Sequence, residues 1–69
     1  MNNKETVIID RIDELITDNM EIIALNKAIL NDEKESKDPG YSKDLKNFEL
    51  LEQRLLGGNA ALLEIRRYI

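Results

Sequence analysis

Apolar pairs recur every seven residues along residues 8–30, which read IIDRIDELITDNMEIIALNKAIL. The pairs are Ile8-Ile9, Leu15-Ile16, Ile22-Ile23 and Ile29-Leu30. A repeat of seven keeps its members on one side of an α-helix. The sequence therefore predicts one long helix over about residues 4–33. Its core side also carries Ile12, Asn19 and Asn26, each three residues after the second member of a pair.

A second repeat of seven follows near the C-terminal end and predicts a second helix over about residues 42–68. Its members are Tyr41, Phe48, Leu55, Leu62 and Ile69. Gly57-Gly58 lies inside this segment, and two glycines in a helix interior cost about 2 kcal/mol relative to alanine. Because the repeat crosses the glycines without a change of phase, we expect a continuous, kinked or straight helix. The alternative is a break, with a new helix beginning at Asn59.

A polar segment over residues 34–41 separates the two repeats and predicts a turn. Pro39 disfavours a helical conformation at Asp38, and Gly40 tolerates a positive φ, so we expect the chain to reverse here. Asp38 or Ser42 is expected to cap the second helix, with Ser42 preferred. The predicted fold is all-α, a single helical-hairpin domain over residues 1–69 with two antiparallel helices.

If the turn lies between residues 33 and 42, it determines which residues of the two helices face each other. Asn19 is then predicted beside Leu56 and Gly57, and Arg11 near Glu64.

A second apolar stripe lies on a side of the second helix that the first helix does not cover, so it predicts an oligomer interface. The stripe consists of Leu56, Ala60 and Leu63. A chain of 69 residues buries little surface on folding, and without cysteine it has no disulfide to compensate. We therefore expect a homo-oligomer, most simply a dimer that forms a four-helix bundle, or a higher helical oligomer.

Composition argues against enzymes and metal sites. The chain has no cysteine and no histidine, the residues that supply thiolate ligands and the commonest general base. Its carboxylates fall on the polar sides of the predicted helices, so we interpret them as solvated. The net charge of −4 argues against DNA and membrane surfaces, and the longest uncharged run is nine residues, 55–63. No catalytic residue, metal or cofactor is expected, and the expected location is cytoplasmic.

Two clusters are candidate binding sites, and each also has a purely structural interpretation. The first lies mid-hairpin and comprises Asn19, Asn26, Gly57, Gly58 and Asn59. In the first interpretation, the cluster forms a small polar notch that binds a ligand or a peptide group of a partner. In the second, the asparagines fix the helix register and the glycines permit close backbone approach. The second lies at the open end and comprises Arg11, Arg66 and Arg67, with Lys4 nearby. It predicts either an anion site or a complement to the dipole of the second helix.

The leading functional hypothesis is an oligomeric binding module that regulates or inhibits another macromolecule, of bacterial or phage type. The first alternative is a small-molecule binder that holds an anionic, nucleotide-like ligand at chain–chain interfaces. It rests on a fold-level analogy with phage proteins that sequester signalling nucleotides. The second alternative is an RNA-binding helical bundle, for which strongly salt-dependent binding is expected.

Overall fold

Two antiparallel helices account for nearly all of the chain in the computed structural model, which describes residues 3–69. Helix α1 spans Asn3–Glu35 and helix α2 spans Tyr41–Arg67. The predicted all-α hairpin is confirmed. Met1 and Asn2, which the predicted domain includes, lie outside the described residues.

Helix α1 ends in a Schellman motif. The Asp38 N–H donates to the Glu33 carbonyl at 2.9 Å, and the Lys37 N–H donates to the Lys34 carbonyl at 3.3 Å. Lys37 has a φ of 56°, the left-handed conformation that this motif requires. Gly40, which tolerates a positive φ, has a φ of −79°, so Lys37 and not Gly40 supplies the left-handed residue of the turn.

Helix α2 begins without a side-chain cap, so the preference for Ser42 as the capping residue was wrong. The helix already includes Tyr41, and Gly40 stands at the N-cap position. Asp38 organises the turn instead: its Oδ1 accepts a hydrogen bond from the Gly40 N–H at 2.7 Å, and its carbonyl accepts one from the Tyr41 N–H at 3.1 Å. The side-chain bond is that of an Asx turn.

The core is a line of side chains between the helices. Ile23, Leu30 and Phe48 form its buried cluster, and Ile12 is buried further toward the open end. Tyr41, Leu45 and Leu55 are partly buried against the cluster. On α1 it is the second members of the apolar pairs that face α2, while Ile22 and Ile29 remain exposed. The predicted repeat thus identifies the core side and also leaves apolar residues outside it.

Helix α2 runs through Gly57 and Gly58 without interruption, which confirms the continuous helix. A Cβ built on either glycine would meet no atom within 4 Å apart from its chain neighbours and the nearby backbone of α2. Within one chain, therefore, neither glycine serves a close approach of α1.

The hairpin is strongly elongated. Its Cα atoms extend over 54 × 15 × 10 Å, with a radius of gyration of 16.1 Å. A compact domain of this length has a radius of gyration of about 11 Å. The shape follows from packing two long helices along a single shared side, with no third element to cover the remaining sides.

Candidate functional site

The middle of the hairpin is joined by two side-chain amides. The Asn19 Nδ2 donates to the Asn59 Oδ1 at 2.8 Å. The prediction that Asn19 lies beside Leu56 and Gly57 was therefore wrong by nearly one helical turn. The error comes from the turn, because Ser36 still donates to the Asp32 carbonyl at 3.0 Å, as in a helix, so the chain reverses later than assumed.

Asn59 is the buried polar residue among the residues described, with 7% of its surface exposed. Its Nδ2 donates to the Met20 Sδ at 3.5 Å, so both ends of the amide have a partner on α1. A different register of the two helices would leave this amide buried without its partners, at a cost of about 1–3 kcal/mol. The paired amide therefore favours the observed register. The spacing of Asn59 indicates a position on the core side of α2, because it lies four residues after Leu55 and three before Leu62.

The other members of the predicted mid-hairpin cluster do not join this amide pair. Asn26 donates from its Nδ2 to the carbonyl of Ile22 in its own helix at 2.8 Å. Gly57 and Gly58 face open space. The structure thus brings together Asn19 and Asn59, with Met20 beside them.

The arginines at the open end are each engaged by a carboxylate of the same chain. The pairs are Arg66 Nε with Asp13 Oδ1 at 3.2 Å, Arg67 Nη1 with Glu64 Oε2 at 3.3 Å, and Arg11 Nη1 with Glu14 Oε2 at 2.9 Å. Arg11 and Glu64, which were predicted to lie near each other, each pair within their own helix, and the contact of Asp13 with Arg66 shifts the residue that faces Arg11 past Glu64. All these groups are substantially exposed, so each pair contributes little to stability, but each lowers the local positive charge.

Three carboxylates, those of Glu33, Asp38 and Asp44, lie close together at the turn, where solvated carboxylates were expected. The Glu33 Oε2 is buried and has no hydrogen-bond donor among the described residues. A hydrogen bond with Asp44 raises the pKa of Glu33, and desolvation and the charges of Asp44 and Asp38 raise it further. Two carboxyl groups share a hydrogen bond only when one of them holds a proton, so the nearby Asp44 favours the protonated form of Glu33.

The described residues 3–69 contain no cluster of acidic side chains arranged to hold a metal ion. Neither α1 nor α2 contains an apolar stretch of the length that a bilayer crossing requires. A shallow apolar depression lies beside Asn3, Lys4, Val7 and Ile8 at the start of α1.

Comparison of the chain with known proteins returns no significant match to protein-family models, to curated proteins or to solved structures. Function must therefore be inferred from the surface of the hairpin itself.

Proposed function

We propose that this chain is a non-enzymatic, homo-oligomeric helical binding module that regulates or inhibits another macromolecule. The observation that carries the proposal is its large accessible surface of 5540 Å². A compact monomer of the same mass, 8.0 kDa, exposes about 4,450 Å², so the hairpin exposes a surplus of about 1,100 Å². One partner in a standard protein–protein interface buries about 800 Å².

Much of this surface is apolar. Long aliphatic side chains on both helices are between 42 and 64% exposed, among them Ile8, Ile22, Ile29, Leu56, Leu63 and Ile65. Single exposed apolar residues are normal, but rows that follow a helix side are typical of association surfaces. The buried core is small in comparison, and each of its side chains stabilises the fold by only about 1.5–3 kcal/mol. A partner surface therefore supports both the function and the stability of the hairpin.

The stripe predicted to be the oligomer interface is open to solvent in the single chain. Leu56, Ala60 and Leu63 are all exposed. Their exposure leaves this side of α2 available to a partner, either a second copy of the chain or another macromolecule. A dimer of hairpins, with four helices around a common core, is the simplest assembly that covers apolar residues of both helices.

The alternative of an anionic ligand draws less support. Asp13 and Glu64 already occupy the guanidinium groups of Arg66 and Arg67. An anion at the open end would have to displace these carboxylates. The same pairing weakens the RNA-binding alternative, which also relies on basic groups.

Native mass spectrometry of the purified chain at micromolar concentration tests the proposal. We expect ions at a multiple of 8.0 kDa, most simply two, with no additional small-molecule mass. A species at 8.0 kDa alone would contradict the oligomeric module. A retained non-peptide mass on the oligomer would instead favour the ligand-binding alternative.

Photo-crosslinking in host cells tests the binding of another macromolecule. A photoreactive residue replaces Leu63 on the exposed stripe, and the matched control replaces Glu21, which is exposed on the outer side of α1. We expect a heterologous adduct from position 63 and none from position 21. Adducts of position 63 with copies of the chain alone would contradict a second partner at this stripe.

A further inference from the structure

One edge of the hairpin is closed by contacts between the helices. Asp13, Met20 and Lys27 recur every seven residues on α1, and each contacts α2. Their partners are Arg66 at 3.2 Å, Asn59 at 3.5 Å and Glu52 at 3.4 Å respectively. Two ion pairs thus cross this edge, with a buried amide between them.

The opposite edge carries what we call the isoleucine face. It comprises Ile8, Leu15, Ile22 and Ile29 of α1 with Leu51, Gly58 and Ile65 of α2. At 100° per residue, the α1 row lies about 140° around its helix from the row of Asp13, Met20 and Lys27. The α2 row lies on the far side of Phe48 and Leu55 from Asn59. The isoleucine face contains no charged residue, and four of its members are among the exposed aliphatic side chains.

We infer that the isoleucine face of one chain packs against the isoleucine face of a second copy. The inference rests on the proposed oligomeric function and names the surface that performs it. The α1 row from Ile8 to Ile29 is about 32 Å long, and two helices side by side are about 20 Å wide. A patch of this size, about 640 Å² in flat projection, is comparable to the share of about 800 Å² that one partner buries in a standard dimer.

Gly58 gives this face its closest point of approach. A glycine in a helix interior costs about 1 kcal/mol relative to alanine, and no contact within the chain requires one here. Ala61, three residues on, continues a patch of small side chains at the border of the face. A helix of a second copy approaches closely at such a patch, which accounts for the glycine.

The border of the isoleucine face is complementary to itself. On α1 the adjoining row contains Arg11 near the open end and Asp32 near the turn. Arg11 pairs with the exposed Glu14 in the single chain. When two α1 helices pack antiparallel, Arg11 of one copy also lies toward Asp32 of the other, and this happens twice in a symmetric dimer. Oppositely charged pairs at the borders of helix interfaces favour one orientation. The ion pairs of the closed edge join the two helices of one chain, and the exposed Leu56 and Leu63 remain available to the other macromolecule.

Sedimentation equilibrium of three matched variants tests the choice of face. Ile22→Glu places a charge in the isoleucine face, Leu63→Glu in the predicted stripe, and Leu50→Glu on the outer side of α2. All three side chains are exposed in the single chain. We expect Ile22→Glu to raise the dimer dissociation constant at least about 100-fold, since each dimer would bury two unpaired charges. We expect the other two variants to stay within about threefold of the parent.

If the Ile22→Glu variant does not fold, a crosslinking experiment tests which face forms the dimer contact. The chain has no cysteine, so Ile22→Cys and Leu50→Cys each introduce a single thiol. A short bis-maleimide should give covalent dimers with Ile22→Cys and not with Leu50→Cys or Leu63→Cys. If the parent is an oligomer but Ile22→Glu assembles normally, or only Leu63→Cys crosslinks, this inference fails and the proposed function stands. If the parent is a monomer, both fail.

Discussion

The hydrogen bond between Asn19 and Asn59 sets the register of the two helices at the level of single residues. The apolar repeat predicts Asn19 on the core side of α1, because Asn19 follows the second member of an apolar pair by three residues. Its partner was not predicted, because the facing residue depends on how far helical hydrogen bonding continues past Glu33. That distance is decided by the Schellman motif at Lys37, for which the usual glycine signal is missing.

Removing one amide of this pair should destabilise the hairpin, and removing both should not. Asn19→Ala leaves a polar group of Asn59 without its partner and should lower the free energy of unfolding by about 1–3 kcal/mol. The double variant Asn19→Leu/Asn59→Leu should be as stable as the parent or more stable, with less definite register. Urea denaturation of Asn19→Leu, Asn59→Leu and the double variant measures the coupling. Additive effects would show that the two amides do not interact.

Lys37 is a site where glycine should be better than the native residue. A non-glycine residue in the left-handed conformation costs about 1–2 kcal/mol, partly offset by the greater unfolded-state entropy of glycine. Lys37→Gly should therefore raise the free energy of unfolding by about 0.5–1 kcal/mol in urea denaturation. Lys34→Gly, three residues earlier within α1, is the control and should lower it by about 1 kcal/mol. A loss of stability in Lys37→Gly would contradict the Schellman ending.

Glu33 should make stability depend on pH. Because its folded pKa is raised above the ordinary 4.5, the folded state binds more protons than the unfolded state between 4.5 and that raised value. Ionised Glu33 therefore lowers the free energy of unfolding at neutral pH, and this effect disappears as the pH falls below 4.5. Glu33→Gln, whose amide donates to Asp44 at any pH, should be more stable than the parent at pH 7 and gain less at pH 4. Glu21→Gln is the control. A gain that is equal at both pH values would exclude this role.

The two helices are the elements that the sequence predicts best, because repeats of seven apolar residues mark each of them over its whole length. The continuity of α2 followed from the same pattern, since Leu55 and Leu62 keep their phase across Gly57 and Gly58. The turn was located correctly, but its capping residue was not. Ser42 is a good capping type by composition, yet Asp38 reaches the backbone first through an Asx turn.

The two glycines of α2 should respond differently to alanine. Gly57 faces away from α1 with open space around it, so Gly57→Ala should raise helix stability by about 1 kcal/mol. Gly58→Ala gains the same propensity but adds a methyl group to the isoleucine face, so it should weaken association relative to Gly57→Ala. Circular dichroism melts at two protein concentrations separate the two effects. Loss of helicity in Gly57→Ala would contradict a continuous helix.

The whole molecule is a thin hairpin whose apolar residues outnumber the positions that two helices bury. The stripe of Leu56, Ala60 and Leu63 predicted such a surplus of apolar residues, whereas the larger isoleucine face was not predicted. The first members of the apolar pairs on α1 carried that signal. They were assigned to one broad core side, whereas α2 covers only Ile23, Leu30 and their equivalents. A single partner helix is too narrow to cover both columns of such a doublet repeat.

The arginine cluster shows why the open end was harder to predict than the core. The sequence placed Arg11, Arg66 and Arg67 in one region, and they do lie there. It did not reveal that Asp13, Glu14 and Glu64 pair with them, because side-chain pairs depend on a register that the turn decides. Electrostatic function at this end is therefore a weaker hypothesis than apolar association.

Sedimentation equilibrium of the parent chain over a concentration series tests the central claim most directly. The claim is that the exposed apolar surface of the hairpin is covered by a second copy of the chain. The predicted result is a mass that rises from 8.0 kDa at low concentration to twice that value or a higher multiple at micromolar concentration. A mass that stays at 8.0 kDa across the series, with the helices intact by circular dichroism, would contradict it.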